Sequence, residues 1–361
     1  LATTRRQTTD PVTWLFLRGK AMDDQVHHLL AILHDVLDGA RLDLRDRVAQ
    51  IVSEEKAELE SSIIPSGHRF VAQRLRARYT EADAVQEQLG GISYLLALRT
   101  LERRIEDEWP KVAADLHAVH AALVNRHAML VNVTASGATR SATEKAIGSF
   151  LSRRPASAWS PHRRTLPAAP HGPEGLLIPA QVNYVGKSVN LYELQRPIHG
   201  HDLVVNRYLR TAWLWDQVRV QGGAYGAFCM LDPRAGQCTM ASYRDPNTVR
   251  TLATYDRTPE FLRGLSLDDA ERTRAIIGTI GDLDGYLLPD AKGFISMGRH
   301  LAGDTDAIRQ SMRDQVLSTT AGHFADYAAS LDLLANHGSV VMMGARDTIG
   351  PYPGITLIPV L

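Results

Sequence analysis

Arg219 and Tyr225 stand six residues apart, with Gly222 and Gly223 between them. A guanidinium donates hydrogen bonds through a rigid fork, and a phenol donates one more. Held close together, the two could grip a carbonyl oxygen or an anionic group. Residues 204–218 predict a helix, because Val204, Tyr208, Leu209, Ala212, Trp213, Trp215 and Val218 recur at near-helical spacing. The two glycines stop that helix, and residues 224–230 read as a strand. Arg219 is therefore expected in a last helical turn and Tyr225 at the start of a strand. The same residues also fit a plainer role, an arginine capping its own helix's carbonyls beside a half-buried tyrosine.

Other chemistry is sparse. Fourteen histidines invite a search for metal sites, but neither His-Glu-x-x-His nor His-x-x-Glu-His occurs. His27, His28 and His34 share a helix without a glutamate at ligand spacing. His117 and His120 lie one turn apart with no evident third ligand, and His199 and His201 sit in a loop. Asp282 and Asp284 resemble the opening of a calcium loop whose remaining ligands are missing, so capping duty is expected. Ser66 and His68 are too close in sequence to make a catalytic pair. The glutamates of 54–60 read as a solvated helix face. No self-contained catalytic centre is legible, and no metal ligand is assigned.

The totals narrow the classes. The chain has 361 residues, 44% of them hydrophobic, enough for two domains with cores. Basic and acidic residues balance at 40 each, so no global field recruits nucleic acid or an anionic membrane. No apolar run is long enough to cross a bilayer. Only Cys229 and Cys238 are present. They flank a turn at 232–236 and are expected as reduced neighbours on a hairpin, with a single bridge as the alternative. The chain opens at Leu1 without a signal peptide and reaches a core-type strand almost at once, which reads as a piece of a larger polypeptide or a processed product.

Along the chain, 12–17 predicts a buried strand, followed by helices near 23–37, 44–61, 68–79, 81–89, 91–106 and 109–126, then a strand at 128–134. A short helix near 141–152 leads into a stretch rich in Pro, Arg, Ser and His. Residues 151–175 are therefore read as a linker between a unit at 1–150 and another at 176–361. The second unit restarts with strands at 176–185 and 188–194 around a hairpin-type turn at Gly186 and Lys187. A hairpin at 224–231 and 237–243 follows, then helices near 247–255, 268–278, 290–302, 305–317 and 320–334, and a strand at 339–344. Both units run strands, helices, final strand, as two copies of one α+β plan.

Several segments together resemble the C-terminal half of the presequence protease and falcilysin group of the pitrilysin/insulinase family of zinc peptidases. They begin with 17–22, with Glu58 to Ser61, and with Ser66-Gly-His68. Asn183 and Tyr184 within 182–187, the stretch 213–226 and Ser242 to Asn247 continue the series. Residues 276–284 and 288–293 complete it, in family order. The resemblance implies an α+β fold of two homologous insulinase-type domains, each an antiparallel sheet packed with helices. The first would be incomplete: the latter part of the third domain, with strands near 12–17 and 128–134, followed by the whole fourth domain.

It also implies a division of labour. The family's zinc ligands lie in the first domain and have no counterpart here, so no cofactor is expected on this chain, and zinc belongs to the absent N-terminal half. Arg219 and Tyr225 match the family's fourth-domain Arg and Tyr, which reach the substrate backbone near the scissile bond. Asn183 and Tyr184 fit either a chamber lining or a structural role. Gly222 and Gly223 would allow close backbone approach. The implied function is the substrate-contacting C-terminal half of a zinc metalloendopeptidase that degrades unstructured peptides in a closed chamber and is inactive alone. A non-catalytic scaffold or partner subunit of the same fold is the alternative. The expected partners are the N-terminal catalytic half and a peptide, with no nucleic acid and no membrane. Exposed half-chamber surface also makes self-association an expectation. The expected location is the cytoplasm or an organelle interior.

Overall fold

The structure is a computed structural model that describes residues 2–5, 11–160 and 172–361. The expected linker at 151–175 falls largely on 161–171, outside the described residues. A small antiparallel pair, β1 (Ala2–Thr4) and β2 (Pro11–Thr13), opens the chain. Seven helices follow: α1 (Val26–Asp38), α2 (Arg45–Ile63), α3 (Gly67–Arg76), α4 (Glu81–Gly90), α5 (Ile92–Asp107), α6 (Trp109–Leu123) and α7 (Arg140–Ser152). Then come β3 (Glu174–Leu177), β4 (Tyr184–Asn190), α8 (Gly200–Thr211), β5 (Gly226–Asp232) and β6 (Gln237–Tyr243). The helices α9 (Val249–Asp256), α10 (Thr258–Arg263), α11 (Asp269–Leu283), α12 (Pro289–Ala302), α13 (Asp306–Leu317) and α14 (Ala321–His337) lead to β7 (Ser339–Gly344). A short α15 (Arg346–Ile349) and β8 (Thr356–Pro359) close the fold.

The strands β3 to β8 make one sheet in the order β5-β6-β4-β7-β3-β8. Its β5-β6-β4-β7 part is antiparallel, while β3 lies parallel to both β7 and β8. Side chains alternate across a strand, and both faces are covered. Tyr184, Leu176, Val341 and Met343 face Ile63, Phe70, Val71, Leu75 and Leu95, which come from α2, α3 and α5. Val185, Met240, Val340 and Met342 face Val205, Leu209, Leu252, Tyr327 and Leu331, which come from α8, α9 and α14. β4 is consequently buried at all seven positions. The early helices and the late sheet share a core.

Two glycines make that contact close. A Cβ on Gly67 would fall 2.5 Å from the Tyr184 ring, and one on Gly186 would strike Val71 and Leu75. The Tyr184 hydroxyl donates to the Ile64 carbonyl, tying the sheet to the α2–α3 corner. At the far end of α3, Arg74 grips Glu174 with two bonds of 3.0 Å, and Arg78 adds a third at 2.7 Å. Burial alone would push the Glu174 carboxyl up, but the two arginines outweigh it and hold it below its ordinary value.

Four expectations are corrected. Gly186 and Lys187 do not form a turn: β4 runs straight through them. The glycine makes room for α3, and the lysine, although buried, donates to Asp256 at 2.6 Å and to the Ala335 carbonyl at 2.7 Å. Residues 12–17 are a strand only to Thr13, and 129–136 are extended without a ladder. Strands need hydrogen-bonding neighbours. Here Phe16 meets Phe294 edge-on at 5.4 Å and Asn132 donates to the Gly293 carbonyl at 3.2 Å, so both segments lie along α12 instead. The helix expected over 204–218 ends at Thr211, where Ala212 leaves helical geometry with φ −114 and ψ −82. Cys229 and Cys238 are indeed neighbours on the β5–β6 hairpin, buried and free.

Glu174→Gln is expected to cost about 3 kcal/mol, because it leaves two buried guanidinium groups poorly paired. The folded value of Glu174 lies below its unfolded one. Its contribution is therefore complete above the ordinary glutamate range and is lost as pH falls through the folded value. Urea unfolding of wild type and variant should differ by a constant amount near neutral pH and converge in acid.

Candidate functional site

The chain re-enters helical structure after α8 as a π-helical turn, Trp215–Val220, closed by the Gln221 amide on the Asp216 carbonyl at 2.9 Å. Wider turns of this kind recur at functional sites. Here it places Trp215 and Arg219 on the same side. The Arg219 guanidinium lies over the Trp215 ring at 3.8 Å and reaches toward the Tyr225 ring at 5.9 Å. Among the described residues it has no carboxylate partner. The plainer capping role is not what the side chain does. The carbonyls at this helix end are taken by backbone, Gly223 on Arg219 at 2.9 Å and Ala224 on Val218 at 3.1 Å.

Gly223 adopts φ +80, which disfavours any residue with a Cβ, and a Cβ on Gly222 would strike the Val218 carbonyl. The turn therefore requires both glycines, and they act by shaping it. Beyond them the Tyr225 amide donates to the Tyr243 carbonyl at 3.0 Å, fixing the residue at the mouth of the β5–β6 ladder. Its ring meets Tyr243 edge-on at 5.7 Å and remains 67% exposed. The hydroxyl has no hydrogen-bond partner among the described residues. The site thus presents a shelf of Trp215, Arg219 and Tyr225 with two donors open to a ligand.

Its frame is buried. Asn183 and Asp245 exchange backbone hydrogen bonds of 2.8 Å in both directions. The Asp245 carboxylate points inward, accepting from Thr251 at 2.7 Å and from the Asn247 amide at 2.8 Å. Burial pushes its carboxyl up against those bonds. Asn247 in turn donates its side chain to the Gly222 carbonyl at 2.6 Å. Asn183 and Tyr184, expected as a chamber lining or as structure, are structural here. Only 2% and 0% of their surfaces are exposed, and their side chains are spent on internal bonds. Behind the shelf, His68 from α3 stacks on Phe228 at 4.9 Å and meets Tyr243 edge-on at 4.8 Å. Burial, with Arg69 beside it, draws its imidazole below the ordinary value.

Trp215 and the 245–247 bracket were not legible as site residues. Trp215 carried only the signal of helical spacing to Arg219, which equally suits a core position. The remaining candidates have other employment. Asp282 and Asp284 pair with Arg207 and Arg313. His199 and His201 join His323 in a stack beside the N-termini of α8 and α14. There burial, with His323 and His199 adjacent, pulls His201 down to about 4. The described residues contain no group of three or more His, Cys, Asp or Glu that could hold a metal ion, so the residues present do not fit a zinc site.

Gly223→Ala should destabilise the protein by about 1–2 kcal/mol through the strained φ. Gly226→Ala, with ordinary backbone and a roomy site, should cost less. Urea midpoints compare the two.

Comparison with known proteins bears on this geometry. Residues 173–346 match the family model described as the PreP C-terminal domain, and residues 1–101 match a second model, of a region associated with peptidases of that family. The chain is 38% identical to presequence protease 1, chloroplastic/mitochondrial, of Arabidopsis thaliana, over 97% of this chain and 32% of the relative. It is 24% identical to the mitochondrial presequence protease of Mus musculus, over 72% and 28% of the two chains. It therefore spans about a third of these relatives' length. Its fold is similar to that of the solved structure of pitrilysin, with a TM-score of 0.57 at 12% identity, covering 93% of this chain and 36% of that one.

Proposed function

This chain belongs to the pitrilysin/insulinase peptidase family, in its presequence-protease-like branch, and from that premise we propose that it is the substrate-contacting C-terminal part of a zinc metalloendopeptidase. Residues 1–150 are read as the latter part of the third domain and 176–361 as the fourth. Zinc, which supplies a Lewis acid and an activated water when bound, is assigned to an N-terminal part held by the longer relatives. This chain's own contribution is grip. Arg219, laid flat on Trp215, and Tyr225, held by the β5–β6 ladder, each offer a donor to a peptide carbonyl and to the negative charge that grows on it.

The observation that carries this reading is the unpaired, exposed state of both donors on a buried frame. A scaffold that only filled space would have no use for a guanidinium stacked on an indole and left without a carboxylate. Peptides without a stable fold are the proposed substrates, because a two-part chamber admits a chain more readily than a domain. The N-terminal part is the proposed partner, and exposed surface on the open half also provides for self-association. Relatives named chloroplastic or mitochondrial favour an organelle interior over the cytoplasm. No helix among the described residues is long and apolar enough to cross a membrane.

In the enzyme assembled with its N-terminal part, Arg219→Ala and Tyr225→Phe should each lower kcat about 10²–10³-fold, as loss of an oxyanion donor does. Circular dichroism and melting temperature should stay near wild type, since neither side chain holds the core. Undiminished turnover would remove both residues from the mechanism.

A further inference from the structure

Arg244 ends β6 in an unusual way. Its φ is +47, a left-handed value that a residue with a side chain rarely adopts. The cause is local. Tyr243 still pairs with β5, while the next residue, Asp245, must turn back to exchange bonds with Asn183. A glycine would make that turn without strain, yet an arginine stands there. Its side chain is exposed and lies over the Tyr243 ring at 5.5 Å, with the Tyr184 hydroxyl in reach. Among the described residues it has no carboxylate partner. The acids of this corner are otherwise engaged. Asp216 holds the side chains of Gln217 and Gln221 at 2.8 Å, and Asp245 faces inward.

Two unpaired guanidinium groups therefore flank one aromatic pair, Tyr225 against Tyr243. Steps of 5.9, 5.7 and 5.5 Å lead from Arg219 to Arg244 across the two rings. A chain extended at about 3.3 Å per residue spans that path in about five residues. We propose that Arg244 is a specificity residue of this site and binds a carboxylate of the peptide within about five residues of the carbonyl gripped by Arg219. The carboxylate is an acidic side chain or the peptide's own C-terminus. The inference rests on the peptide-gripping reading and adds to it a preference for negative charge at one end.

The test is equilibrium binding of fluorescent ten-residue unstructured peptides to this chain, measured by anisotropy. One peptide carries a single Glu, a second has Gln in its place, and both are made with free and with amidated C-termini. Wild type should favour a carboxylate-bearing peptide over its neutral counterpart by about tenfold. The Glu/Gln and acid/amide pairs identify which carboxylate is bound. Arg244→Gln should abolish the preference, and Arg244→Lys should keep part of it. Arg244→Gly separates binding from folding: it relieves the backbone, so its melting temperature should equal or exceed wild type while the preference is lost. In the assembled enzyme, Arg244→Gln should raise KM for the favoured peptide and leave kcat nearly unchanged, unlike Arg219→Ala. Equal binding of all peptides by wild type, or a preference that survives Arg244→Gly, would overturn this inference alone. Failure of wild type to bind any peptide would overturn the gripping reading and this inference with it.

Discussion

The reciprocal backbone pair between Asn183 and Asp245 is the constraint on which the site depends. It fixes the start of a central strand to the residue just past the end of β6. Everything exposed hangs from that buried point. The Asp245 carboxylate orders Asn247, which holds the Gly222 carbonyl and so sets the turn between Arg219 and Tyr225. On the other side, Thr348 donates to the Asn183 side chain at 2.8 Å and ties in the end of β7. Each bond contributes about 1 kcal/mol net, but an orphaned buried partner costs about 1–3. The network therefore holds or fails as a unit, and it costs the fold a carboxylate buried against its preference.

A second constraint acts at the level of layers. The sheet is covered on both faces, and one cover comes from residues far earlier in the chain. This explains why polar residues appear in β4. Lys187, Ser188 and Asn190 are buried there with partners, so the alternation of apolar and polar residues that usually marks a strand is blurred. It also places His68, carried by α3, directly behind the rings that support Tyr225.

These constraints set what the sequence could reveal. The order of helices and the β5–β6 hairpin were legible because amphipathic period, caps and turn residues are local signals. Arg219 and Tyr225 were legible for the same reason: a helix, two glycines and a strand must bring them together. Gly186 has the look of a turn residue in the sequence, whereas its reason is the close approach of α3, more than a hundred residues away. The segments at 12–17 and 128–134 have strand composition, but a ladder depends on a neighbour that composition cannot announce. Trp215 has the look of a core residue only if the helix around it is regular; the break after Thr211 and the π-helical turn expose it. The bracket at 245–247 acts through backbone and buried amides, which carry no sequence period.

The most direct test of the central claim is peptide hydrolysis and zinc content of this chain alone, then with an N-terminal part of a presequence-protease-like relative supplied in trans. The account predicts neither zinc nor turnover in the lone chain, and both in the mixture. Zinc and turnover in the lone chain, or a mixture that binds zinc and associates but leaves unstructured peptides intact, would contradict it.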